Sequence, residues 1–319
     1  MKTIWLGGIV ACACVSLTAW TMSGVAGASV GEEPPPRPAQ RCNTSAKGFV
    51  AVPAGTATIG DDRGYPDERP AIAVSLPGFR IARYEVTNRE FAAFVKATGH
   101  VTTAERRGDS IVFAPPRAGA TPVSPAQWWR IVDGADWRHP SGPESTIAGR
   151  EHYPVVHVSL DDAEAYAKWK GARLPTEEEF EYAAQGGKGG RPSDGEQPAP
   201  DSANTWQGPF PISDLARDGY AGAAPVGCYR ANELGAHDLI GNVWEWTVTP
   251  YRPGHTRGPQ PSPLIAASAS APGEQLHVIK GGSFLCAPNY CARYRPAARH
   301  AQPRQETASH LGFRLAANP

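Results

Sequence analysis

Proline and glycine interrupt this chain too often for long regular elements to survive, at 32 and 34 of its 319 residues, about a fifth together. Proline removes a backbone donor and clashes with the preceding helical turn, and glycine costs extra conformational entropy inside a helix or strand. Such a chain is expected to be loop-rich, with short strands and short helices. At 41% apolar and 19% charged it can still bury one sizeable core, or two if the domains are small. Lys plus Arg and Asp plus Glu both number 31, so no net field recruits nucleic acid or an anionic membrane.

Lys2, the apolar stretch Ile4 to Trp20 and the A-x-A site Ala26-Gly27-Ala28 form an export signal, cleaved after Ala28. The stretch is short for a membrane span of about 20 residues and is diluted by Gly, Ser, Thr and Cys, so stable membrane insertion is not expected. Ile9-Val10-Ala11-Cys12 also resembles a lipoprotein acylation site, although the apolar run continues through Cys12. Residues 29–47, with a Glu- and Pro-rich run from Glu32 to Gln40, cannot bury enough apolar surface to fold and read as a tether. One domain from Gly48 to Pro319 is the simplest partition, since no internal repeat divides it.

Apolar runs at Phe49 to Val52, Ile72 to Val74 and Phe79 to Val86 predict strands of a small mixed sheet. Three capping boxes mark helices: Thr87 with Glu90, Ser159 with Asp162, and Thr176 with Glu179, ending at Gly99, Gly171 and Gly186. All three read as scaffold. Arg252 to Glu274 shows no apolar period and reads as a long exposed loop.

Gly281-Gly282-Ser283-Phe284-Leu285 lacks the second glycine of a hydrolase nucleophile elbow, and Gly186-Gly187-Lys188 lacks the Ser/Thr of a phosphate loop. The nine histidines never fall at i,i+2 or i,i+4, so no local histidine clamp for zinc or iron exists. Beyond the signal, four cysteines remain: Cys42, Cys228, Cys286 and Cys291. An even number suits an oxidising compartment. Cys286 and Cys291, with Pro288 between them, admit two readings: an ordinary disulfide, or a soft dithiolate site for copper(I).

The surrounding residues bear on that choice. Gly281 to Cys286, then Tyr290-Cys291-Ala292-Arg293-Tyr294-Arg295-Pro296-Ala297-Ala298-Arg299 and Leu311-Gly312-Phe313-Arg314, closely resemble the catalytic signature of the formylglycine-generating enzymes, also called sulfatase-modifying factors. Arg173-Leu174-Pro175-Thr176-Glu177-Glu178-Glu179 and Gly241-Asn242-Val243-Trp244-Glu245-Trp246 resemble the hallmark strings of the wider superfamily. The resemblance implies a mixed α+β single-domain fold related to C-type lectin-like folds. It implies that Cys286 and Cys291 hold copper(I), that Ser283, Tyr290 and Trp244 line an oxygen and substrate pocket, and that a sulfatase cysteine is oxidised to Cα-formylglycine with molecular oxygen and a thiol reductant.

The client implied is an unfolded sulfatase segment of the form C-x-P-x-R. Its arginine calls for paired carboxylates, and the resemblance assigns Glu85 and Asp109 to that clamp in an open cleft, with His310 as a further peptide contact where eukaryotic members have asparagine. It also implies two structural calcium sites. One uses Asn204 and Asp218 with the carbonyls of Thr205 and Tyr220; the other uses Asp238 and Glu245 with those of Gly241 and Val243. The structural cysteine pairs of eukaryotic members are absent, and Cys42 and Cys228 either pair or stay free. Two rivals stand beside the oxidase. One is a non-catalytic periplasmic binding or assembly module of the same fold. The other is the iron-dependent sulfoxide synthase branch, which normally carries a histidine-bearing helical domain in front. Export is tested directly: N-terminal sequencing is expected to find the mature protein outside the cytoplasm, starting near Ser29, and not to find Met1 retained in a cytosolic fraction.

Overall fold

The computed structural model describes Cys42 and residues 48–116, 128–188, 197–255 and 275–319. The export signal, the tether apart from Cys42, and residues 256–274 of the expected long loop lie outside the described residues. Among the described residues no helix is long and apolar enough to cross a membrane.

In chain order the elements are β1 (Phe49–Val52), β2 (Gly55–Ile59), a 3-10 turn (Pro66–Glu68), β3 (Ile72–Leu76), β4 (Phe79–Ala82), α1 (Asn88–Thr98), α2 (Thr103–Arg107), β5 (Asp109–Phe113) and β6 (Trp129–Asp133). There follow α3 (Leu160–Trp169), α4 (Glu177–Ala184), β7 (Trp244–Pro250), β8 (Leu276–Lys280), β9 (Arg299–Pro303), β10 (Leu311–Gly312) and β11 (Ala316–Ala317). This is the expected loop-rich α+β fold. The single small sheet is corrected: four sheets form, ordered β1-β4-β11, β10-β7-β8-β9, β2-β3 and β5-β6. The run expected to extend to Val86 ends at Ala82, because the Val86 N–H turns away to the Phe313 carbonyl at 2.9 Å.

All three expected capping boxes are made, each side chain satisfying a backbone N–H that the first helical turn leaves free. A fourth, Thr102 with Glu105, opens the short α2 and was not anticipated. The apolar faces of α1 and α3 meet in the main core, where the Phe91 ring packs on Phe94, Trp137, Tyr166 and Phe313 at centroid distances of 5.3–6.4 Å. A second cluster lies under β1, β2 and β4, against Phe180, Tyr182 and Ala183 of α4. Cys42 and Cys228 form a disulfide across a sequence separation of 186, resolving that alternative in favour of a bond.

Between α4 and the four-stranded sheet sits a charged knot with almost no access to water. Lys280 Nζ lies 2.8 Å from Glu181 Oε2 and 3.9 Å from Glu177 Oε1, and Arg299 faces Glu177 at 2.7 and 2.9 Å. Burial pushes Glu177 up, but the His255 hydrogen bond, Arg299 and Lys280 outweigh it and hold the carboxyl at about 2. Removing one member of a buried ion pair strands the other, at a cost of about 3–5 kcal/mol. Lys280→Met is therefore expected to lose stability on that scale in urea unfolding, and Lys280→Met combined with Glu181→Gln to recover part of it.

Candidate active site

Strings that are far apart in sequence become register partners here. β10 runs parallel to β7, pairing Leu311 with Trp244 and Gly312 with Glu245. Gly241 donates its N–H to the Gly281 carbonyl (2.9 Å), and Phe284 donates to the Asn242 carbonyl (2.8 Å). Gly241 sits at φ +80 with the Asn204 carbonyl oxygen 2.2 Å from where a Cβ would stand, so only glycine allows the two segments to touch. These contacts place residues 281–291 directly beside the hallmark strand.

Cys286 and Cys291 are both free, with sulfurs 3.7 Å apart. A disulfide requires about 2.05 Å, so the pair stands reduced and close enough for one ion to touch both. Cys286 is buried; its N–H donates to the Ser283 carbonyl (2.9 Å) and the Ser283 N–H points at its sulfur (3.4 Å). Burial, followed by its hydrogen bond and charge contact with Cys291, pushes the Cys286 thiol well up. The hydrogen bond from Cys286 holds Cys291 below the ordinary thiol value, with the Arg293 guanidinium acting in the same direction against burial. Of the two thiols, Cys291 is therefore the more acidic. Arg293 is fixed over the Tyr65 ring at 4.2 Å and paired with Asp67 at 3.1 Å.

Aromatic side chains pack around the segment that carries the thiols. Trp244 shares the main apolar core with Cys286, and Cys291 packs against it. Tyr290 stacks on Phe210 at 4.1 Å and 10°, and meets Trp128 edge-on at 6.0 Å. The Ser283 hydroxyl is buried and accepts the Leu285 N–H at 3.3 Å. His310 joins this packing twice: its ring lies 4.8 Å from Trp129, and its carbonyl accepts the Trp244 N–H at 2.8 Å. Desolvation drives its imidazole down to about 3, so it is neutral at physiological pH, and its Nδ1 has no protein partner among the described residues.

Residues 34–319 match the family described as the sulfatase-modifying factor enzyme 1-like domain. The formylglycine-generating enzyme of Mycobacterium tuberculosis is 44% identical over 293 residues, covering 85% of this chain and 98% of that protein. That of Thermomonospora curvata is 46% identical over 287 residues, covering 86% and 94%. The chain belongs to the formylglycine-generating enzyme, or sulfatase-modifying factor, family. Among solved structures, PvdO from Pseudomonas aeruginosa is 27% identical with a TM-score of 0.60, covering 85% of this chain and 94% of that one.

The structure places the two residues expected to clamp the client arginine in different surroundings. Within this family member Glu85 is 1% exposed; its Oε1 accepts Asn242 Nδ2 at 2.9 Å and its Oε2 faces Arg314 at 3.8 Å. Asp109, about a third exposed, is already paired with Arg107 at 2.6 Å. The two carboxylates share no partner, and the guanidinium beside Glu85 is the chain's own.

Glu85 belongs instead to a buried acidic cluster with Asp238 and Glu245. Burial, then the Asp238 charge, pushes Glu85 well up, against the opposing pull of Arg314. Glu245 gives both oxygens to Arg314 at 2.6 and 2.7 Å. Glu85 Oε2 and Asp238 Oδ1 are buried without a hydrogen-bond partner among the described residues. Three carboxyl groups thus stand against one guanidinium in a buried space, although no group of three or more His, Cys, Asp or Glu side chains among the described residues is arranged to hold a metal ion. Of the second set of calcium residues, Asp238, Gly241, Val243 and Glu245 are all buried here, and Glu245 is turned to Arg314.

Residues expected at the first calcium site also meet one another directly. Asp218 accepts the N–H groups of Thr205 (3.1 Å) and Tyr220 (3.2 Å), and the Thr205 carbonyl accepts from Gln207 (3.0 Å). Asn204 spends its Nδ2 on Gly222 and Asn242. Desolvation raises Asp218 to about 7, with Asp214 adding to it. Asn242, at φ +56 within Gly241-Asn242-Val243-Trp244, is a further site residue whose role no local pattern signals: its side chain bonds Asn204, Ala224 and Glu85 at once.

This arrangement sets the expected behaviour of Glu85. Glu85→Gln keeps an acceptor for Asn242 and removes charge, so in a chelator its melting temperature should equal or exceed the parent's. Added calcium should raise the parent's melting temperature and raise that of Glu85→Gln less. Glu85→Ala strands the Asn242 donor and should cost about 1–3 kcal/mol. Calorimetry in chelator and in calcium checks all three.

Proposed function

We propose that this chain is an exported oxidase that converts the cysteine of a C-x-P-x-R segment in an unfolded sulfatase to Cα-formylglycine, using copper(I), molecular oxygen and a thiol reductant. The observation that carries this reading is the reduced Cys286–Cys291 pair at 3.7 Å, in a chain whose family relatives are named for that product. A non-catalytic module of the same fold has no need of two reduced thiols held face to face.

Thiolates select soft ions, so Cys286 and Cys291 would hold the copper(I), and that ion when bound supplies the activation of molecular oxygen. The chain's own residues prepare the site. Cys291 is the thiol that gives up its proton more readily, and any proton on either sulfur must leave when an ion binds. The Ser283 N–H, 3.4 Å from the Cys286 sulfur, favours the thiolate left behind. Trp244, Tyr290, Phe210 and Trp128, packed in the two apolar clusters that meet at this segment, would limit water near the reacting sulfur. Neutral His310 offers hydrogen bonding without charge to the client peptide. Atoms balance when one dioxygen, the peptidyl cysteine and two reductant thiols give aldehyde, hydrogen sulfide, water and one disulfide.

Calcium would act structurally. The orphaned oxygens of Glu85 and Asp238 and the desolvated carboxyl of Asp218 support cation sites that stitch a loop-rich chain together. Export through the predicted signal fits the Cys42–Cys228 disulfide.

Mass spectrometry of a C-x-P-x-R peptide incubated aerobically with copper-loaded protein and a reductant is the test. Loss of the thiol and gain of an aldehyde are expected. Cys286→Ser and Cys291→Ser should each abolish turnover while leaving the melting temperature near the parent's; undiminished activity in either would overturn the copper assignment.

A further inference from the structure

The loop that carries both thiols is fastened to residues 206–210, and one of the ties is a side chain that the chemistry above does not use. Trp206 donates its N–H to the Cys286 carbonyl at 3.1 Å. Asn289 meets the Phe210 backbone in both directions: the Phe210 N–H donates to Asn289 Oδ1 at 3.3 Å, and Asn289 Nδ2 donates to the Phe210 carbonyl at 3.1 Å. A side-chain amide here does what a neighbouring strand would do. The next residue, Tyr290, stacks on the same Phe210. Inside the loop the Ala287 carbonyl accepts the N–H groups of Tyr290 and Cys291 at 3.1 and 3.0 Å, so a displacement of Asn289 carries Tyr290 and Cys291 with it.

The two thiols are not equally free to move. Cys286 is walled in: it is buried, and Gly282 packs so close that a Cβ there would stand 3.2 Å from the Cys286 sulfur and 2.5 Å from the Arg293 carbonyl oxygen. Closing the sulfurs from 3.7 Å to the disulfide length of about 2.05 Å therefore falls to Cys291 and the residues before it. The Asn289–Phe210 pairing opposes that movement.

Resting on the dithiol reading of the site, we infer that Asn289 is a positioning residue that holds the Cys286–Cys291 loop open. The sulfurs stay at a separation suited to one soft ion and out of disulfide contact. Asn289 is exposed and touches neither sulfur, so its contribution is the pinning of the loop. Asparagine suits the position because one amide supplies both the acceptor and the donor. Aspartate keeps the acceptor for the Phe210 N–H, loses the donor and sets a negative charge against the Phe210 carbonyl.

The experiment compares the full-length protein with Asn289→Ala and Asn289→Asp in three measurements. The first is the glutathione equilibrium of Cys286 and Cys291, read by alkylation and peptide mass spectrometry that separates this pair from Cys42–Cys228. On oxidation two electrons and two protons pass to oxidised glutathione, which leaves as two thiols. The second is copper(I) affinity, measured anaerobically in competition with a chromogenic chelator. The third is melting temperature.

In Asn289→Ala the equilibrium should move toward the disulfide by about three- to tenfold, the scale of one or two lost hydrogen bonds. Copper affinity should fall by a similar factor, with the melting temperature nearly unchanged and Asn289→Asp in between. A merely structural role would not move the two equilibria in opposite senses. An unchanged glutathione equilibrium, or a shift toward the dithiol, overturns the proposal. If the parent binds no copper, the oxidase reading fails on its own, and the glutathione measurement still decides what Asn289 does.

Discussion

Arg314 reaches from the end of the chain into a space where no water can solvate it, and much of the site's frame is arranged to answer its five donors. Nε and Nη2 meet Glu245 at 2.6 and 2.7 Å, Nη1 meets the His237 carbonyl at 2.9 Å, and Nη2 meets the Asp238 carbonyl at 3.0 Å. A planar, permanently charged fork is the one side chain that can satisfy a carboxylate and several carbonyls together. It locks β7, the 237–238 turn and the C-terminal segment into one body. The same guanidinium leaves the neighbourhood short of positive charge, because Glu85 and Asp238 share what Glu245 does not consume. Burial answers that deficit by raising the Glu85 and Asp238 carboxyls toward their protonated forms, so the hub and the acidic cluster are two aspects of one electrostatic arrangement.

The thiol pair inherits its geometry from that frame by short steps. Asn242 bridges the acidic cluster to the Asn204 loop through its side chain, and its carbonyl holds Phe284, two residues before Cys286. With few regular elements to impose position, the chain relies on individual hydrogen bonds and on glycines that let backbones touch. The thiols lie at the seam between the main core, which holds Trp244, and the aromatic cluster of Trp128, Trp206 and Phe210. A seam of this kind can keep a sulfur largely dry while leaving it reachable from one side.

Local rules carried far in reading this chain. Capping boxes succeed because they involve residues three apart whose hydrogen bonds close within one helical turn, whatever surrounds them. Thr102 and Glu105 obey the same rule and were open to the same reading. Strands fared less well: β7 and β8 are largely buried on a sheet whose members are distant in sequence, and their composition does not alternate cleanly. Trp244, Glu245 and Trp246 are all buried in succession, so no period of two is visible.

By itself the sequence determined the loop-rich α+β character, three helix starts, the export signal as an expectation, and the two cysteines with their flanking strings. These depend on residue type and short spacing. Only the tertiary structure decided that Cys42 bonds Cys228, that Cys286 and Cys291 stand apart as thiols, and that Asn289 and Asn242 tie their loops in place. It also showed Glu85 buried against Asn242 and Arg314. A carboxylate reads the same in sequence whether it meets water, a client arginine or Arg314. Burial and partner are properties of chain segments brought together by folding, and no local pattern encodes them.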